Sequence, residues 1–223
     1  MGMAASFTPY AGGPSKGAYK PSVIITISNR YGCGAIGIAR RVCDSLGYEF
    51  VDQQLPVVVA KRLRTSPQAV ESAEHGARTV SERMLRALEY GTPELGGRAD
   101  VPSFDEECLR EVKEAVRDYA SHGNVVLIGR GANAILGRRP DVLRVFMYAP
   151  RDWRIHHIMD SHGVDEKTAA AEVERVDRAR TQYMQAYYGV KWVDHNNYDL
   201  TIDTSAFGEE GSAELIVNAA RRR

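Results

Sequence analysis

Gly32, Gly34 and Gly37 lie in the stretch SNRYGCGAIGIARR, between an apolar run and a run of helical period. Glycines so placed let a chain turn tightly from strand to helix, and the helix N-terminus behind the turn attracts phosphate. Three roles fit such a turn. Gly32-Cys33-Gly34-Ala35-Ile36-Gly37 satisfies GxGxxG, and Asp52 follows Gly32 by 20 residues, where a dinucleotide-binding unit carries an acid for a ribose hydroxyl. The same six residues satisfy GxxxxG, but Ile38-Ala39 follows where a mononucleotide phosphate loop has Lys and then Ser or Thr. The third role is packing alone, a turn that lets strand and helix approach. The loop by itself leaves all three open.

The arginines narrow the choice. Gly129-Arg130-Gly131 follows the apolar run VVLI, and Arg151 and Arg154 follow LRVFMY. A guanidinium at a strand's carboxyl end grips phosphate bidentately. Asp177 and Arg180 are three residues apart on a helical pattern and share a face; Arg178 points about 100° away. Several strand-end arginines in a chain of zero net charge point to a polyanionic substrate. No Ser/Tyr/Lys or His/Asp set reads as a hydride-transfer site.

These residues need a scaffold, and the apolar pattern supplies one. Strands are expected at 23–27, 48–51, 125–128, 143–148 and 200–203. Helices are expected at 35–46, within 54–90 with a start at Ser66-Pro67, at 104–122, at 165–188 and from about Glu209. Residues 91–104 read as a long Gly/Pro-rich loop. Short buried strands alternating with helices imply a parallel sheet covered on both faces, with ligands beyond the strands' carboxyl ends.

Composition bounds the rest. The chain has 223 residues, 43% of them apolar and 26% charged, ordinary for a soluble globular protein. Zero net charge argues against nucleic acid or an anionic membrane as partner, and no apolar run approaches a bilayer span. Residues 1–20 read as a flexible tail without the apolar run of a signal peptide. Cys33, Cys43 and Cys108 form no CxxC pair, so a reducing, cytoplasmic setting is expected. Cys33 reads as a small residue that fits the turn. His156, His157 and His162 lack metal-ligand spacing, and no metal site is expected. Tyr183, Tyr187, Tyr188 and Trp192 read as the packed side of a helix and its exit.

Five stretches in order, SNRYGCGAIGIARRVCDSLGYEFVD, VVLIGRGANAIL, LRVFMYAPRDWRI, DRARTQYMQAYYG and YDLTIDTS, resemble the cytidylate-kinase-like proteins, relatives of bacterial cytidylate kinase. The resemblance runs from about Val23 onward and is weakest between Leu63 and Phe104. It implies an α/β, three-layer P-loop NTPase-like fold with a five-stranded parallel sheet. One domain would span 21–223, with a helical acceptor insertion at 60–104 and a lid at 151–180. It implies ATP and Mg²⁺ as cofactors and a nucleoside monophosphate, CMP or dCMP, as acceptor. Residues 32–37 (Gly32, Cys33, Gly34, Ala35, Ile36, Gly37) would be the donor phosphate loop, and Asp52 would stand on the acceptor side. Arg130 would grip the acceptor, Arg154 would stand at the start of the lid region, and Asp177 and Arg180 would hold the acceptor's base and phosphate. The stretch Asp203-Thr204-Ser205 matches the one after the family's last strand.

Two departures stand out. Ala35 takes the place of the phosphate-loop lysine and Gly37 that of the Mg²⁺-binding hydroxyl, and Gly131 replaces the aspartate of a Gly-Arg-Asp segment. Arg30, Arg40 and Arg41 are candidates to replace the lysine. Two alternatives stand beside the kinase: a nucleotide binder of the same fold without turnover, and an NAD(P)-dependent oxidoreductase.

Overall fold

A computed structural model describes residues 23–51, 54–67 and 104–223. Five parallel strands form one sheet: β1 (Ile24–Asn29), β2 (Glu49–Val51), β3 (Val125–Ile128), β4 (Val142–Tyr148) and β5 (Leu200–Asp203). Their order is β2-β3-β1-β4-β5. β1 is central, with Ile24 in register with Val125 on one side and Val142 on the other.

The strands are apolar on both faces because both are covered. Ile25, Ile27, Val126, Val145 and Met147 pack on one side with α1 (Ala35–Leu46) and the last helix, Thr204–Ala220. Ile24, Val125, Leu127 and Val142 face the other side, toward α2 (Gln54–Leu63), α3 (Phe104–His122) and α4 (Ala132–Leu136). The β-branched runs thus become central strands of a three-layer α/β fold, as the sequence implied.

After β4 the chain forms a helix pair, α5 (Arg151–His162) and α6 (Glu166–Tyr188). Asp165 caps α6 by accepting from the Thr168 N–H at 2.7 Å. Ile155 and Ile158 of α5 pack on Ala169 and Val173 of α6. The pair occupies the segment expected as a lid.

Three elements differ from expectation. α4 was not foreseen; it is five residues long and begins straight after Gly131. α5 is a regular helix where only a lid region was expected. The last helix, α7 (Thr204–Ala220), starts earlier than Glu209, because Asp203 caps it and Gly208 breaks it internally at φ 64° and ψ −178°. A glycine that reads as a helix boundary is here a kink between two helical segments. The tail at 1–20, Asp52 and residues 91–103 of the loop expected at 91–104 lie outside the described residues, as does most of the expected insertion.

Far from the strands' carboxyl ends, Arg144 is buried on β4 and paired with Asp199. The Arg144 side chain donates to the Asp199 carboxylate at 2.9 and 3.2 Å, its backbone N–H donates at 3.0 Å, and Arg223 adds an ion pair at 2.8 Å. Burial pushes the Asp199 carboxyl up, but the donors from Arg144, helped by the Arg223 charge, outweigh it and hold the group below the usual range. A carboxylate with a lowered folded pKa stabilises the fold above its unfolded pKa and loses that contribution as pH falls. Asp199→Ala is expected to cost about 3 kcal/mol in urea unfolding at pH 7, because it strands a buried guanidinium. The loss from Asp199→Asn should shrink as pH is lowered below about 4.

Candidate functional site

β1 ends at Asn29 and α1 begins at Ala35, so the glycine turn stands at the carboxyl end of the central strand. Gly32 and Gly34 sit at φ 81° and 74°, in the left-handed region. At Gly32 a Cβ would also come within 2.9 Å of the Arg154 carbonyl oxygen, so only glycine fits. Gly34 is the N-cap of α1, with no side-chain cap and no acid in the first turn. The first-turn N–H groups of this 12-residue helix are thereby left to an outside anion. Cys33 is buried, its thiol 3.8 Å from the Met147 carbonyl oxygen, and burial pushes its pKa up to about 11. It fills the turn as a small apolar residue.

The turn is held from behind by one carboxylate. Asp177 on α6 is 8% exposed. It accepts from the Tyr31 N–H at 2.9 Å, from Arg30 at 2.9 Å and from Arg154 at 3.0 Å. Arg154 also donates to the carbonyls of Ala149 at 3.0 Å and Tyr31 at 2.9 Å. Arg180 donates to the Asn29 carbonyl and lies 5.9 Å over the Tyr31 ring. The Tyr31 hydroxyl donates to Glu172 at 2.7 Å, and burial together with that carboxylate pushes its pKa up to about 12.

In front of the turn opens a cavity of about 480 Å³. Residues of the glycine turn form one wall, and Gly129, Arg130 and Gly131 after β3 form another. α6 contributes Arg175, Arg180, Tyr183 and Met184, and Trp192 closes the far side. Three arginines, 130, 175 and 180, therefore line one cavity with a helix N-terminus; among the described lining residues Glu209 is the one acid. A cavity of this size and charge suits an anionic small molecule.

Arg130 has φ 54°, between Gly129 at 71° and Gly131 at 69°. A left-handed arginine costs about 1 kcal/mol or more, a kind of strain that concentrates at functional sites. Gly131 is required twice over. Its φ is positive, and a Cβ there would be driven into the Tyr188 ring. The space that an aspartate would take is filled by Tyr188, whose hydroxyl is 3.3 Å from that of Tyr183. Burial raises the pKa of both tyrosines, Tyr188 to about 12.

Residues 32–37, Arg130 and Arg180 thus line the cavity, while Arg154 and Asp177 pair behind its wall. Arg30 is tied to Asp177, and Arg41 pairs with Glu209 at 3.3 Å beside the turn. Arg40 is exposed. His157 stacks on Trp153 at 5.2 Å, and His162 faces Tyr31 and Glu172. Two contributors, Arg175 and Glu209, were not singled out from sequence as site residues, and Trp192 was read as packing. Arg175 stands on one helical face with Ala179 and Tyr183, a signal that spacing carried. Trp192 packs on Phe146 and also closes the cavity. Glu209 reaches the turn only through the fold.

The sheet order removes the dinucleotide reading. That arrangement needs the acid-bearing second strand beside the first, so that one ribose spans both. Here β3 lies between β1 and β2, which puts the end of β2 about 9–10 Å from β1.

Two outcomes follow from this geometry. Gly131→Ala should lower stability by about 1–3 kcal/mol, read by denaturant unfolding, whereas Gly129→Ala meets only the φ penalty. Cys33 should resist iodoacetamide at pH 8 in the folded protein, with about one thiol in a thousand ionised, and react once urea unfolds the chain.

Residues 24–206 match the family model described as the cytidylate kinase-like family. The chain is 26% identical over 203 residues to a cytidylate kinase of Methanopyrus kandleri, covering 87% of this chain and 91% of that one. It is 23% identical over 197 residues to a cytidylate kinase of Halobacterium salinarum, covering 88% of each. Among solved structures, an uncharacterized protein from Eubacterium ventriosum shares the fold at TM-score 0.65 and 20% identity, covering 90% of this chain and 99% of that one. With the family model spanning most of the chain and the same segments forming sheet and cavity, this protein belongs to the cytidylate kinase-like family.

Proposed function

We propose that this protein is a nucleoside-monophosphate kinase that transfers the γ-phosphoryl group of ATP to a pyrimidine nucleoside monophosphate, CMP or dCMP. The observation that carries the reading is one cavity lined both by the uncapped N-terminus of α1, behind Gly32 and Gly34, and by three arginines, Arg130, Arg175 and Arg180. Names of the relatives support the pyrimidine acceptor.

The donor phosphates would lie on the backbone N–H groups of the turn, residues 32–37. An acceptor phosphate oxygen then attacks the γ-phosphorus in line, the bond to the β-phosphate oxygen breaks, and ADP leaves. Such a transfer needs positioning and charge neutralisation more than covalent help. Arg130 and Arg180 supply positive charge to the phosphates, and Tyr183 and Trp192 offer ring surface to a base. Mg²⁺, when bound, would neutralise the donor's β- and γ-oxygens. Arg154 and Asp177 act in this scheme as positioning residues that fix the turn. Asp52 remains assigned to the acceptor side, and α5 with α6 to the lid. Three free, buried cysteines suit a reducing, cytoplasmic setting.

A second reading rests on a specific observation: the turn has no lysine, and the Glu209 carboxylate stands beside it. In that reading the cavity binds nucleotide without turnover. A coupled assay of ADP formation with ATP, Mg²⁺ and each of CMP, dCMP, UMP, AMP and GMP separates the two. Turnover with CMP or dCMP, reduced about 100-fold or more in Arg130→Ala with unchanged melting temperature, is the expected result. No turnover with any acceptor, in protein that ATP still stabilises thermally, selects the second reading.

A further inference from the structure

Most charged groups on the middle of α6 have a partner. Glu174 pairs with Arg151 at 2.6 Å, and Glu172 accepts from the Tyr31 hydroxyl at 2.7 Å. Asp177 takes Arg30 and Arg154, and Arg180 donates to the Asn29 carbonyl. Arg175 differs: it is exposed and makes no hydrogen bond or ion pair among the described residues. Its helix offers no acid at the favourable spacing, since Ala171 and Ala179 stand four residues away on either side and Arg178 follows three residues on. Glu209, the acid of the described cavity lining, is paired with Arg41 at 3.3 Å.

Yet Arg175 lines the cavity. Burial raises the Tyr31 pKa to about 12, and the Arg175 charge is among those that oppose the rise, so it lies within electrostatic reach of the residue that leads into the glycine turn. The turn itself, residues 32–37, contains no cation. At roughly 1.5 Å per residue, Arg175 stands about 12 Å along α6 from Tyr183 and about 7.5 Å from Arg180. An acceptor with its base on Tyr183 and its phosphate at Arg180 ends short of Arg175. The group left to meet Arg175 is the outer end of a donor held on the turn. Three arginines on one cavity also repel one another, and an anion among them reverses the sign of that interaction.

We propose that Arg175 binds the terminal phosphate of a nucleoside triphosphate seated on the glycine turn, supplying from α6 the positive charge that the turn lacks. The inference rests on the nucleotide-binding reading above. A planar guanidinium matches phosphate oxygens bidentately, and this one breaks no existing contact when it turns to them. Arg175 thereby distinguishes a triphosphate from a diphosphate at the same turn.

The test is isothermal titration calorimetry of the full chain with ATP and with ADP, both with Mg²⁺, for the wild type, Arg175→Ala, Arg175→Lys and Arg178→Ala. Arg178 is exposed on the same helix and lies outside the cavity lining, so its variant controls for the loss of one charge. In Arg175→Ala, ATP is expected to bind about tenfold more weakly and ADP less than about threefold more weakly, because a charge-assisted contact to the terminal phosphate is lost. Arg175→Lys keeps the charge without the planar fork, and its ATP affinity should fall between wild type and Arg175→Ala. Arg178→Ala should leave both affinities within about twofold of wild type. Melting temperatures without nucleotide should agree in all four proteins, since neither arginine has an ion pair to lose. Unchanged ATP affinity in Arg175→Ala, or equal weakening of ATP and ADP, overturns the inference and leaves the nucleotide site standing. Equal weakening of ATP by Arg178→Ala also overturns it, and makes the effect one of overall helix charge. Absence of ATP and ADP binding in every protein overturns the nucleotide reading itself.

Discussion

The Asp177 carboxylate, buried between α6 and the end of β1, is the contact on which the rest of the site depends. It takes the Tyr31 N–H on one oxygen and the guanidinium groups of Arg30 and Arg154 on the other. Two positive charges and a backbone donor satisfy one buried acid, so the cluster tolerates burial that an unpaired charge would not. Its members come from the glycine turn, α5 and α6. The turn is thereby fixed to the helix pair that carries Arg175 and Arg180. Charged residues that look like binding groups in sequence act here as the frame behind the binding wall.

That frame explains where the backbone is forced and where it is free. Gly32 is pressed against the Arg154 carbonyl because Arg154 is drawn to Asp177. Gly34 faces the cavity and leaves α1 uncapped. On the opposite wall Arg130 is held left-handed between two glycines, and Tyr188 fills the space beyond Gly131. At two of the glycines a neighbour fills the space a side chain would need. Tyr188 stands where a longer side chain at 131 would go, and Glu209 stands where one at 37 would go. Each contact joins segments far apart in the chain, so the loop sequences alone do not show it.

The cavity combines a helix dipole's positive end with three arginines in a chain whose net charge is zero. The field is local, made by topology rather than composition. Parallel strands bring the carboxyl ends of β1 and β3 side by side, so the glycine turn and the Arg130 loop become neighbours although about a hundred residues separate them. The sheet order also decides which residues stand beside the turn. With β3 between β1 and β2, the space beside the turn belongs to Arg130 and not to an acid at the end of β2.

Local pattern alone determined most of the scaffold. The bounds of α1, α3, β3 and β5 were legible because apolar period and caps act over a few residues. The glycine turn, Arg130 and Arg180 were legible as cavity residues because each follows a strand or shares a helical face with its neighbours. Tertiary structure alone decided the remainder. Whether Asp177 meets substrate or backbone depends on what packs against α6, and no spacing records that. The segment of the last helix before the kink at Gly208 was not legible, and the helix was expected only from about Glu209. Glu209 joins the site through the packing of α7 on α1, a contact between segments far apart in the chain. Periodicity and capping are short-range and leave their mark in adjacent residues; the partners of a buried charge are set by long-range packing, which only the folded chain brings into being.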